Sequence, residues 1–95
     1  MIAELTADRF EPLNGTIFTV ASVQPQQHLR LIEVLRRGKG ERVGGSFSLL
    51  WQSDAEEVLP QGSYVLAHDS LGELELFIVP VGQASEGVHY EAVFT

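Results

Sequence analysis

Histidine, aspartate and serine stand side by side at His68-Asp69-Ser70, and these are the three residue types of a hydrolase catalytic triad. A triad requires the three side chains to converge in space, with the imidazole between the carboxylate and the hydroxyl. Three consecutive residues of a tight turn instead point in different directions. We therefore interpret Asp69 and Ser70 as turn residues and His68 as the side chain that closes one end of the core. We expect no enzyme and no catalytic residues.

Metal binding is the next chemistry to consider. The chain has three histidines, His28, His68 and His89. They are far apart in sequence, and none shows a ligand spacing such as H-x-x-x-H. The pairs His89/Glu91 and Glu73/Glu75 would each share one face of a strand, and carboxylate pairs can bind a hard cation. The solvated side of an amphipathic strand produces the same spacing, so we expect no metal and no cofactor.

A third candidate is the basic segment, residues 36–42, which carries Arg36, Arg37, Lys39 and Arg42. Residues 36–45 sum to +3 while the whole chain carries −7, so the remaining residues carry −10. Such an acidic body predicts no nucleic-acid binding, because phosphate repulsion opposes approach. The segment overlaps a glycine-rich loop, Gly38 to Gly45, that lacks the residue order of a phosphate-binding loop. Two interpretations stay open: a charged solvated loop, or a docking site for an acidic surface of a protein partner.

Strands are expected to position most of these residues, because the C-terminal half, residues 47–94, has almost no helical periodicity. The third strand is predicted over residues 46–53, where Phe47, Leu49 and Trp51 alternate with polar residues. The sixth is predicted over residues 88–94, and the first over residues 16–23. At the N-terminus, Thr6 can cap a single helical turn, which Pro12 should end at Glu11.

The segment from His28 to Arg37 is ambiguous. Leu29 and Leu31 point to one face of a strand, whereas Ile32 and Val34 fall on the other. A bulge near Leu31-Ile32 would restore a single apolar face. Helical spacing also fits several of these residues, so a helix is the competing prediction.

The fourth and fifth strands form a predicted hairpin. Asp69-Ser-Leu-Gly72 suits a type I turn followed by a glycine in the left-handed conformation. That turn places Asp69 opposite Glu73. The predicted pairs on the core face are then His68 with Leu74, Leu66 with Leu76 and Tyr64 with Ile78, and they are apolar apart from His68. Downstream, Pro80 lacks an N–H group and predicts a bulge or a sheet edge.

Alternation over these strands predicts the core. The expected buried residues are Phe47, Leu49, Trp51, Tyr64, Leu66, Leu74, Leu76, Ile78, Tyr90, Ala92 and Phe94. We expect Glu73 and Glu75 to be exposed. A chain of 95 residues with 44% hydrophobic residues predicts one folded domain, residues 1–95.

Several motifs together resemble a family of small bacterial proteins of about this length and of uncharacterised function. They are Phe47-Ser-Leu-Leu-Trp51, Leu59-Pro-Gln-Gly-Ser-Tyr64, the stretch from His68 to Gly82, Tyr90-Glu-Ala-Val-Phe-Thr95, and Phe10 to Phe18. The match covers most of the chain except residues 24–45. Trp51 stands where that family usually has Phe, and Asp69 where it usually has Pro. The resemblance implies no catalytic residues. Such proteins are sometimes encoded near phage-tail-collar-like proteins, which implies a role in a multi-protein assembly.

We therefore predict an all-β fold: about six antiparallel strands in a small barrel or a two-layer sandwich, with at most one N-terminal helical turn. The predicted function is a non-catalytic interaction or structural module with a protein partner, accessory to a phage-tail-like or other multi-protein assembly. The alternative is a small ligand-binding barrel or enzyme with a pocket at a barrel mouth. The N-terminus lacks a secretory signal and no segment reaches the roughly 20 apolar residues of a membrane helix, which predicts a cytoplasmic protein with no membrane contact.

Overall fold

The fold is a closed antiparallel β-barrel. The structure is a computed structural model, and it describes residues 5–38, 45–55, 57–84 and 87–94. These residues form the strands β1 (Ile17–Val20), β2 (Gln27–Gly38), β3 (Ser46–Ser53), β4 (Gly62–His68), β5 (Gly72–Ala84) and β6 (Gly87–Phe94). The order around the barrel is β1-β2-β3-β6-β5-β4, and β4 pairs with β1 to close it. The all-β prediction is confirmed, and the barrel rather than the sandwich is the observed architecture.

The segment predicted as either strand or helix is the long strand β2. Leu29 and Leu31 are buried, and the register with β3 shifts between Leu31 and Glu33. The extra residue, Ile32, is the predicted bulge, and it returns Val34 to the inner face of the barrel. A second predicted bulge follows Pro80, where the register with β6 shifts before Gly82.

The β4–β5 hairpin keeps the predicted faces but not the predicted register. Leu66 pairs with Leu74 and Tyr64 with Leu76, so every partner on β5 lies two residues earlier than predicted. The turn closes at His68 opposite Gly72, which has a φ of +73°. The imidazole of His68 accepts a hydrogen bond from the backbone N–H of Ser70, so His68 replaces Asp69 as the first residue of the turn. A shift of two residues leaves each side chain on its original face.

Apolar side chains fill the interior of the barrel. Eight of the eleven predicted core residues are buried, while Tyr64, Leu74 and Phe94 are half-buried; Glu73 and Glu75 are exposed as predicted. The other strands and the N-terminal helix add Phe10, Phe18, Val20, Leu29 and Leu31 to this core. Trp51 is fully buried, with its ring centroid 5.7 Å from that of Phe18 in an edge-on contact.

A short N-terminal helix packs against one end of the barrel. Helix α1 (Ala7–Phe10) is followed directly by a 3₁₀ turn, Glu11–Leu13. The helical conformation therefore continues across Pro12, and the predicted end of the helical turn at Glu11 is wrong. Thr6 occupies the N-cap position without a side-chain capping bond. Phe10 is buried with its ring about 6 Å from both Phe47 and Phe94, whose own rings are stacked 4.5 Å apart.

The β3–β4 connection, residues 54–61, is anchored by the two tyrosines. β3 and β4 are not neighbours, so this connection must cross between two sides of the barrel. The hydroxyl of the buried Tyr90 accepts a hydrogen bond of 2.8 Å from the backbone N–H of Leu59. The hydroxyl of Tyr64 donates one of 2.6 Å to the carbonyl of Pro60. Leu59 is buried and joins the core.

Candidate binding surfaces

The His68-Asp69-Ser70 motif serves the hairpin and its contact with β1. The Nε2 atom of His68 lies 2.9 Å from the hydroxyl of Thr16, which itself donates to the carbonyl of Leu13. The Nδ1 atom accepts the N–H of Ser70, and the ring packs 4.6 Å from Phe18. An Nε2–H tautomer satisfies both contacts. This arrangement joins β4 to β1 and leaves neither ring nitrogen for the hydroxyl of Ser70.

The two pairs considered as metal ligands, Glu73/Glu75 and His89/Glu91, lie on the outer wall of the barrel. Glu73 and Glu75 are exposed on β5, and His89 and Glu91 share the outer face of β6. Among the described residues, no group of three histidine or carboxylate side chains is placed to hold a metal ion.

Arg36, the first residue of the basic segment, is joined to the N-terminal helical region. Its guanidinium donates to both carboxylate oxygens of Glu11, over 2.9 and 3.1 Å, and also to Asp8. The hydrogen bonds to Glu11, and to a smaller extent the one to Asp8, raise the pKa of Arg36 above its ordinary value. The two carboxylates therefore neutralise Arg36 within the molecule and connect α1 to the end of β2.

Arg37 lies across the outer wall instead. Its Nε donates to the hydroxyl of Ser48 over 3.0 Å, and its Nη2 lies 3.3 Å from a carboxylate oxygen of Glu91. Arg37 thus spans β2, β3 and β6. Lys39 and Arg42 lie outside the described residues, so the predicted docking role of the segment stays a prediction.

Large apolar side chains are exposed on the outer wall next to Arg37. We define the apolar row as Leu35, Val93 and Phe77, which are 45%, 52% and 55% exposed. Leu35 and Val93 are both paired with Ser48, so they flank Arg37 where it covers this serine. Val79 on β5 pairs with Glu91 on β6. Phe77 lies two residues before Val79 and Val93 two residues after Glu91, so these two side chains lie opposite each other on the antiparallel strands. Sequence reasoning missed this row because the row depends on β2, β3, β6 and β5 lying side by side, and the sequence did not show this order.

A shallow groove of about 160 Å³ lies on another part of the outer wall. It is lined by Ile17, His28, Arg30, Gln52 and Asp54. Ile17, Arg30 and Gln52 form one cross-strand row, and His28 and Asp54 flank the adjacent Leu29–Ser53 pair. The Nη1 of Arg30 donates to the carbonyl of Gly15 over 3.0 Å. The sequence held one signal of the groove, polar residues at alternate positions of β2 and β3, but not the pairing that brings them together.

The comparisons with known proteins place the chain in a family without assigning an activity. No curated protein and no solved structure matches the chain. In the part of the chain that the structure describes, no helix has the length and apolar character needed to cross a membrane. A family match extends over residues 5–94, and it includes residues 24–45, which the sequence motifs did not cover. The chain therefore belongs to the family described as Domain of unknown function (DUF6916).

Proposed function

We propose that this domain is a non-catalytic protein-interaction module, accessory to a phage-tail-like or other multi-protein assembly. The observation that carries the proposal is the filled barrel interior, in which Trp51, Tyr90 and Phe18 are fully buried. A ligand-binding barrel needs an interior cavity, commonly of about 300–1,000 Å³. Since the core occupies that space, the outer wall is where a partner binds.

The contact surface we assign combines the apolar row with the basic segment. Exposed apolar side chains that lie close together mark protein interaction sites. Arg37 lies among them, and the basic segment also contains Arg36, Lys39 and Arg42. The partner this surface fits is a protein with an apolar contact patch bordered by acidic side chains. Arg36 pairs with Asp8 and Glu11, and Arg37 pairs with Glu91. Lys39 and Arg42 therefore supply most of the charge that attracts the partner.

Photo-crosslinking in the native host tests where the partner binds. A photoreactive amino acid at position 77 should capture a partner, whereas one at position 58 should not. Val58 is a matched control because it is also an exposed apolar residue, at 44%, but lies in the β3–β4 connection outside the row. Capture at position 58 alone would place the partner elsewhere and refute this surface.

Binding measurements with the captured partner then separate the two parts of the surface. Phe77→Ser and Val93→Ser should each raise the Kd for the partner about tenfold or more, while Val58→Ser should leave it unchanged. Replacing Arg37, Lys39 and Arg42 with Ser should slow association at low salt. High salt should reduce that difference, since the Debye length falls from about 10 Å at 0.1 M to about 3 Å at 1 M. Equal association rates at low salt would remove the basic segment from the proposal.

A further inference from the structure

The groove on the outer wall holds charged side chains that do not pair with one another. Arg30 and Asp54 both line it, yet no ion pair joins them in the described part of the chain. Beyond the bond from Arg30 to Gly15, the side chains of Arg30, Asp54 and His28 make no hydrogen bond to the described residues. One cation and one anion, both exposed, therefore share a concave site without pairing with each other.

The positions of the two charges follow from the strand register. Arg30 pairs with Gln52, and Asp54 is the second residue after Gln52 along the chain. Diagonal neighbours of this kind in an antiparallel sheet have backbones about 7–8 Å apart. A small ligand that lies along this diagonal in the groove can accept from an N–H of Arg30 that is not bonded to Gly15 and donate to Asp54 at once.

The size and wall of the groove limit the ligand further. A groove of about 160 Å³ is smaller than the roughly 300–1,000 Å³ of sites for drug-sized molecules, so its size favours a ligand smaller than a nucleotide. Ile17 supplies an exposed apolar side to an otherwise polar site. We infer that the groove binds a small zwitterion of the α-amino-acid type. Its carboxylate faces Arg30, its ammonium faces Asp54 and its aliphatic part contacts Ile17.

An NMR titration of the ¹⁵N-labelled protein with L-alanine tests this assignment at constant ionic strength. Saturable shifts should appear at the backbone amides of residues 28, 30, 52 and 54, with a Kd in about the millimolar range expected for so small a ligand. Propionate lacks the ammonium group and ethylammonium lacks the carboxylate. Each should bind about tenfold more weakly than alanine or worse, because each leaves one of the two charged side chains unpaired.

Variants assign the effect to the two charges. Arg30→Gln and Asp54→Asn should each weaken alanine binding about tenfold or more, whereas Glu75→Gln, an exposed carboxylate on β5, should leave it unchanged. Propionate binding as tight as alanine binding would reduce the site to an anion contact at Arg30 and overturn the proposal. So would the absence of saturable shifts up to about 50 mM alanine. Shifts at these amides with a protein partner but not with alanine would also overturn it. The probe comparison uses the parent protein, so it decides the matter even if a variant does not fold.

Discussion

The substitution Tyr90→Phe tests the contribution of one buried hydrogen bond, which holds the β3–β4 connection against the core. The substitution removes only the hydroxyl, which accepts the N–H of Leu59 over 2.8 Å. Both residues are buried, so the N–H of Leu59 loses its partner where water does not easily replace it. Leaving a buried donor unsatisfied costs about 1–3 kcal/mol. Against a total stability of about 5–15 kcal/mol, that loss is large.

The matched control is Tyr64→Phe. Tyr64 is the only other tyrosine in the chain, and it bonds the same connection one residue further along, at the carbonyl of Pro60. That bond is exposed, so water can satisfy the carbonyl once the hydroxyl is gone. We expect Tyr64→Phe to cost about 0.5 kcal/mol or less. Because both substitutions remove a tyrosine hydroxyl, the difference between them measures how much burial adds to the cost of losing the hydrogen bond.

Urea denaturation followed by the fluorescence of Trp51 measures both variants. Trp51 is the single tryptophan and is fully buried, so unfolding should shift its emission strongly. With an m-value of about 2 kcal/mol/M, a loss of about 2 kcal/mol moves the midpoint by about 1 M. Equal midpoints for Tyr90→Phe and Tyr64→Phe would refute the reasoning, because they would show that the N–H of Leu59 is satisfied without Tyr90.

The same residue predicts how stability depends on alkaline pH. Burial disfavours the charged phenolate and raises the pKa of Tyr90, despite the hydrogen bond from Leu59, which acts in the opposite direction. In the unfolded chain tyrosine titrates near pH 10. The contribution of protonated Tyr90 to the free energy of unfolding is therefore fully present below about pH 10. It is lost as the pH rises through the raised pKa of the folded state, because the tyrosine of the unfolded chain releases its proton first. Tyr90→Phe lacks this loss, so its stability should approach that of the parent protein above about pH 10.

Three further predictions concern the barrel itself. Leu76→Ala should lower the free energy of unfolding by about 2–5 kcal/mol, because the side chain is buried in the core, and a loss below about 0.5 kcal/mol would contradict its assignment. Gly87→Ala should cost at least about 2 kcal/mol, since Gly87 has a φ of +137° and a Cβ there would overlap the carbonyl of Ser53. Gly82→Ala is the control, with open space around it and an expected change within about 0.5 kcal/mol; equal effects would refute the steric argument. His68→Leu removes both hydrogen bonds of the imidazole and should cost about 1–2 kcal/mol in urea denaturation.

Local sequence patterns predicted most of the secondary structure. Alternation placed Phe47 and Trp51 inside the barrel, because successive side chains of a strand point to opposite faces. The interruption of that alternation at Ile32 predicted the bulge in β2, and Pro80 predicted the one in β5. Each of these signals depends on residues only a few positions apart.

The β4–β5 register shows the limit of such signals. A shift of two residues keeps every side chain on its face, so the apolar pattern fits the predicted and the observed pairs equally well. The hydrogen bond between the ring of His68 and Ser70 fixes the start of the turn one residue earlier than predicted.

The candidate binding surfaces depended almost entirely on tertiary structure. The sequence located the basic segment, but not that Arg36 is neutralised by Asp8 and Glu11, which are 28 and 25 positions away. It also could not reveal that Arg30 and Asp54 share a groove. The physical reason is that periodicity determines which face of a strand a residue occupies. Which strands become neighbours is determined only when the barrel closes and the apolar faces of all six strands are buried together.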